Sequence, residues 1–104
     1  MGEHIVRFEE VELWEIMLPS HIEYSVWYEH IQPLLIDGGL IFYNDNLKGY
    51  WKSVSEHSRV FRIAATEDSI KKICELTALR FKEECVMAYR VSNKCLMGYT
   101  DGAN

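Results

Sequence analysis

The sequence predicts an α+β domain, one antiparallel sheet carrying two helices on a single face. Three observations lead there. Two segments, within Tyr24–Leu35 and Ile70–Cys85, hold apolar residues at helical spacing. The segments around them alternate, or run apolar, in the manner of strands. Their order along the chain is β-α-β-β-α-β. At 104 residues the chain is the size of one domain, read as 1–104, with a core over about 9–97 and a small polar tail at 100–104 expected to fray.

The first strand is read from Glu9 to Leu18, with Pro19 closing it. Val11, Leu13 and Met17 take one face, and Trp14, Ile16 and Leu18 take the other. His4–Phe8 either extends this strand or pairs separately. Ser20-His21-Ile22-Glu23 has the form of a capping box. Tyr24, Trp27, Tyr28, Ile31, Leu34 and Leu35 then make one apolar stripe, and Pro33 on the polar side predicts a bend. Asp37-Gly38-Gly39 supplies a C-cap.

Leu40–Tyr43 reads as the second strand, with a turn signal at Asn44-Asp45-Asn46 and Gly49 and a resumption at Tyr50-Trp51-Lys52. Ser53 to Ser58 is polar and reads as a loop. Arg59 to Ala65 is the third strand, with Phe61, Ile63 and Ala65 on one face. Thr66 is placed to cap a second helix with Glu67 and Asp68 in its first turn, where the helix dipole favours acids. Its core stripe is Ile70, Ile73, Cys74, Thr77, Phe81 and Cys85. Val86 to Val91 forms the fourth strand, Ser92-Asn93-Lys94 turns it, and Cys95-Leu96-Met97 adds a short last strand. This succession is the split β-α-β arrangement of ferredoxin-like domains.

A solitary two-layer domain should be polar on the sheet face away from its helices. Here the first, second and fourth strands are apolar on both faces in part of their length, interrupted only by Arg59, Arg62 and Arg90. Each large side chain left in water forgoes roughly 1.5–3 kcal/mol of burial, and a contiguous patch of this kind marks an interface. The expectation is a homodimer with the two sheets face to face, involving Trp14, Ile16, Ile41, Tyr43 and Tyr89. An edge-strand dimer or a trimer is the other option, and Leu76 and Leu79, off the second helix's core stripe, suggest a smaller helix-mediated contact.

Beyond the fold, the chain resembles a family of short bacterial proteins of unknown function. The matching features are Glu12-Leu13-Trp14, Gly38-Gly39, Trp51, Ser58-Arg59, and Arg80-Phe81 with Glu84 and Val86, spanning about residues 11–91. The resemblance implies the ferredoxin-like fold and carries no activity with it.

Hydrophobic residues make up 48% of the chain and charged residues 26%, the balance of an ordinary globule. The formal net charge of −5 argues against direct nucleic-acid binding and against attraction to anionic lipid. No apolar run approaches a membrane span and no signal peptide is visible, so the expected location is the cytoplasm, with Cys74, Cys85 and Cys95 reduced. Cys74 and Cys85 read as buried thiols on the helix stripe, and Cys95 as the more exposed one. His4, His21, His30 and His57 show no metal-ligand spacing, so neither metal nor cofactor is expected.

His57, in its polar stretch beside Glu56 and Ser58, is the one weak candidate for acid–base catalysis, and the balance leans away from an enzyme. Tyr50, Trp51, Arg59 and Arg62 are candidates to line a pocket for an anionic or aromatic ligand. Two functions follow. The first is a non-enzymatic regulatory or interaction domain, a homo-oligomer that binds a protein partner. Its special case is an inhibitor of the kind phages and plasmids encode, presenting clustered acids such as Glu9, Glu10, Glu12 and Glu15. The alternative is a small-molecule sensor or enzyme, with Tyr24, Tyr28, His57 and Arg62 as polar handles in an aromatic cavity of a dimeric ferredoxin-like barrel.

Overall fold

The computed structural model describes the backbone of residues 5–35, 41–51 and 54–100, and side chains within 7–35 and 58–100. The elements are β1 (Ile5–Pro19), α1 (Tyr24–Ile31), a 3-10 turn (Gln32–Leu34), β2 (Ile41–Trp51), β3 (Val54–Ala64), α2 (Glu67–Arg80) and β4 (Ala88–Thr100). The strands form one sheet in the order β2-β3-β1-β4, and every neighbouring pair is antiparallel. This is the expected ferredoxin-like α+β arrangement.

Strand alternation sets the core. Ile16 and Leu18 of β1 and Phe61 and Ile63 of β3, with Ala65 just beyond, are buried against Trp27, Ile31, Ile70 and Ile73 of the helices. Tyr24 stacks on Phe61, centroids 5.2 Å apart, and Trp27 tilts against the same ring at 4.7 Å. One polar bond is sealed inside this layer. The Trp27 indole Nε1 donates to Thr77 Oγ1 at 2.9 Å, and that hydroxyl donates in turn to the Ile73 carbonyl at 2.6 Å. Both side chains are fully buried, so each donor depends on its partner.

The Thr66 cap holds: its Oγ1 accepts from the Ser69 amide at 3.2 Å. The bend at Pro33 appears as the 3-10 turn that follows α1. Other boundaries differ from the sequence reading. Ser20 does not cap α1. Residues 20–22 make a turn closed by the Ile22 amide on the Pro19 carbonyl at 3.1 Å, and the cap position falls to Glu23. α2 ends at Arg80 rather than running to Cys85, because Lys82 takes a positive φ of 56° and the Glu83 amide turns back to the Ala78 carbonyl at 2.9 Å. That is a Schellman-type stop with lysine in the place that glycine occupies without strain. Cys85 is therefore exposed and off the core stripe, while Cys74 is half-buried.

The strands are also longer than the sequence suggests. β1 starts at Ile5, absorbing the His4–Phe8 extension that the structure describes. Ser53–Ser58 is not a loop. From Val54 it is part of β3, with His57 opposite Lys48, so β2 and β3 form a long hairpin. The Asn44–Asn46 turn signal becomes a register shift between Asn44 and Leu47. Ser92–Lys94 likewise does not reverse the chain. It makes irregularities inside a single β4 that continues to Thr100, past the expected start of the tail. The Ser92 hydroxyl, bonded to both the Lys94 amide and carbonyl, satisfies the bulged backbone. The β2–β3 and β1–β4 pairs overhang the helices at opposite ends, and the molecule extends 56 × 24 × 23 Å. Asp37–Leu40 and the residues after Thr100 lie outside the described residues.

Replacing Thr77 with valine keeps the shape but strands the Trp27 N–H. The expected loss is about 1–3 kcal/mol in urea unfolding, with Thr77→Ser losing less.

Candidate functional site

The sheet face turned away from the helices carries the most unusual chemistry among the described residues. In the β1–β3 register Glu15 stands directly opposite Arg62, and in the β1–β4 register it stands directly opposite Tyr89. Three strands thus place Arg62, Glu15 and Tyr89 in one row. Arg62 Nε donates to Glu15 Oε2 at 2.6 Å, and the Tyr89 hydroxyl donates to Glu15 Oε1. Glu15 is only 8% exposed, while the Arg62 side chain remains about half in solvent.

The two donors hold the Glu15 carboxyl below its ordinary pKa, Tyr89 contributing most and Arg62 next, against the opposing effect of burial. The same contact acts oppositely on Tyr89, whose phenol is held above its ordinary range because losing its proton would set a second negative charge against Glu15.

Apolar rows flank this one. On one side Met17 pairs with Val60, and its amide bonds to the Met87 carbonyl at 2.9 Å. On the other side Leu13 pairs with Ala64. Val86 and Ala88 pack on the helix side, so Met87 and Tyr89 lie on the open face by alternation. Val91 follows them as the extra residue of the irregularity between Arg90 and Ser92. The three are 55%, 43% and 41% exposed. The face is therefore apolar with a neutralised carboxylate at its centre; Val60 and Ala64 are themselves buried, and the exposed apolar part runs along β4.

The expected site residues separate under this geometry. Arg59 and Arg62 do not converge. Arg62 lies on the open face, whereas the Arg59 guanidinium reaches the turn before α1 and donates to the carbonyls of Ile22, Ser20 and Pro19, the latter two at 3.4 and 3.5 Å. Arg59 braces a turn; its Nε is buried without a partner among the described residues. Tyr24 and Tyr28 pack on the helix side, centroids 5.8 Å apart, and do not meet Arg62 across the sheet. The side chains of Tyr50, Trp51, Ile41, Tyr43 and His57 lie outside the described residues. Their backbone positions are in β2 and β3, Ile41 opposite Ile63 and Tyr43 opposite Phe61.

Of the expected interface residues, Tyr89 lies on the open face. Ile16 does not: it is fully buried under the helices, with Trp14 packed beside it. The sequence reading joined the helix-side face of β1 to the open face of β4. Leu79 is exposed and Leu76 partly buried on the outer side of α2. Glu15 itself was missed as a site residue. Its signal is an acid between Trp14 and Ile16 in an apolar stretch, which grouping it with Glu9, Glu10 and Glu12 obscures.

That acidic run does not form an open cluster. Glu9 pairs with Arg7, Glu10 with Lys94 at 3.2 Å, and Glu12 with Arg90 at 3.6 Å. Among the described residues no group of three His, Cys, Asp or Glu side chains is arranged to hold a metal, and no helix is long and apolar enough to cross a membrane.

No family model matches the chain, and no curated protein matches it. Solved structures do. The apo form of CPII from Thiomonas intermedia K12, a nitrogen regulatory PII-like protein, superposes with a TM-score of 0.62 at 13% identity, over 89% of this chain and 97% of that one. CPII bound to ADP, AMP and bicarbonate superposes at 0.58 with 12% identity, over 94% of this chain and 99% of that one. The likeness establishes the ferredoxin-like fold over nearly the whole of both chains. These findings support a small ferredoxin-like domain and do not support the resemblance to a family of short bacterial proteins of unknown function.

Glu15→Gln should cost about 1–2 kcal/mol at pH 7, the half-exposed Arg62 limiting the loss. A lowered folded pKa adds stability that is complete above the ordinary value of 4.5 and is lost as pH falls through the lowered one. Urea titrations of wild type and variant should therefore run parallel from pH 8 to about 5 and converge at lower pH.

Proposed function

We propose that this chain is a non-enzymatic regulatory domain that acts as a homo-oligomer, its open sheet face covered by the same face of another copy. One observation carries the reading: the row Arg62–Glu15–Tyr89 is already paired within the chain, while Met87, Tyr89 and Val91 around it stand in water. A carboxylate that has found its donors in its own subunit can enter a dry interface without leaving a buried charge unpaired. The apolar side chains beside it supply the burial that holds the copies together. The nearly full-length likeness in fold to PII-like regulators supports a regulatory role.

A second reading, sensing of a small molecule, draws on the CPII structure that holds ADP, AMP and bicarbonate. In this reading an adenine nucleotide or bicarbonate would shift the oligomer between two functional states, and any protein partner would read that shift. Regulation by protein contact alone stays the first reading, since Tyr24 and Tyr28 pack on the helix side while Arg62 pairs with Glu15 on the other.

Native mass spectrometry at micromolar concentration tests both. The wild type should fly as an oligomer and Met87→Lys as a monomer, because a cation would be buried against the apolar rows. A monomeric wild type overturns the proposal. Added ADP, AMP or bicarbonate should appear as bound mass if the chain is a sensor; an unchanged spectrum with all three returns the function to protein contact.

A further inference from the structure

On the side of the molecule away from the open sheet face, α2 meets α1 and the 3-10 turn along a groove of about 590 Å³. Along α2 the groove is lined by Lys72, Leu76, Leu79 and Arg80, spaced i, i+4, i+7 and i+8, which is one helix face. His30 and Leu34 form the opposite wall, and Glu75, one turn after Lys72, also lines the α2 side. Leu76 is partly buried against the core and makes the floor, whereas Leu79 is 74% exposed and stands at the rim.

The charges here differ from the rest of the chain. The molecule carries a formal −5, and Lys71, one residue from the groove, is paired with Glu67 at 3.2 Å. Neither Lys72 nor Arg80 has an ion-pair partner among the described residues. His30 Nδ1 lies 2.7 Å from the Val26 carbonyl. A carbonyl only accepts, so Nδ1 carries the proton and Nε2 is the ring atom left to meet a ligand. The groove thus offers Leu76 and Leu79 with a cation at each end of the α2 face and a single carboxylate, Glu75, between them.

We propose that this groove docks an acidic amphipathic helix from a partner protein. Lys72 and Arg80 are eight residues apart, about 12 Å along the helix axis and just over two turns. A docking helix with carboxylates at matching separation and apolar residues between them meets both cations while its side chains cover Leu76 and Leu79. The exposure of Leu79 excludes a small ligand as the natural occupant, because small-molecule sites bury most of their ligand and this rim is open. A second copy docked by the same face would bring only one carboxylate, Glu75, to two cations, whereas an acidic helix supplies one for each. The assignment does not depend on the oligomer proposed above, since the groove and the open sheet face lie on opposite sides of the sheet.

The test uses the full chain and two fluorescein-labelled helical peptides of about three turns. Both have leucines at i, i+3, i+4 and i+7; one is flanked by glutamates, the other by lysines at the same positions. The acidic peptide should bind roughly tenfold or more tighter than the basic one in fluorescence anisotropy, and its amide shifts should fall on α1, the 3-10 turn and α2. Both cations are surface residues, so the Lys72→Glu/Arg80→Glu variant should stay folded by circular dichroism and invert the preference. Equal affinity for the two peptides, no binding of the acidic peptide at millimolar concentration, shifts on the sheet instead, or an unchanged preference in the folded double variant each overturns the proposal.

Discussion

Placing a carboxylate in an apolar sheet face costs several kcal/mol unless its oxygens find donors. At Glu15 the donors come from the two strands that flank β1, Arg62 on β3 and Tyr89 on β4. The requirement couples local chemistry to global register. A one-residue slip of either neighbour would turn Arg62 or Tyr89 to the helix side and leave Glu15 charged and alone. The same slip of β3 would carry Phe61 and Ile63 out of the core. The polar row and the apolar core thus demand the same pairing, and the remaining elements are arranged around it.

How far this was readable from sequence follows from which interactions are local. The helix stripes, the Thr66 cap and the break at Pro33 depend on residues within a turn of one another, and all three were legible. The end of α2 was not, because Lys82 adopts a left-handed conformation that glycine or asparagine would have advertised. The long β2–β3 hairpin was hidden for a different reason. Its polar arm, Val54–His57, has no apolar alternation to signal a strand, and it pairs with β2 alone. Ser92–Lys94 has turn chemistry, yet β1 is long enough to keep β4 paired on both sides of it, so the same residues become a bulge.

The candidate site shows the same limit. That an arginine and a tyrosine, forty-seven and seventy-four positions away from Glu15, would stand on either side of it is a property of the register. Composition flagged Arg59 and Arg62 together because they are near in sequence, but an odd separation along a strand sends them to opposite faces. One then braces the turn into α1 and the other neutralises Glu15. The grouping of Trp14 and Ile16 with Tyr89 failed on the same alternation. With the faces assigned, the apolar excess that first suggested an oligomer resolves into a smaller patch on the open face and a groove on the helix side.

The central claim is that another copy covers the open face. Hydroxyl-radical footprinting across a dilution series tests it directly, because oxidation of methionine and tyrosine follows solvent access. The account predicts that Met87 and Tyr89 become protected as concentration rises through the micromolar range, while exposed Phe8 and Leu79 on other surfaces keep a constant rate. Equal oxidation of Met87 and Tyr89 at every concentration would contradict it, and would leave the paired carboxylate as a device for holding the sheet in register and nothing more.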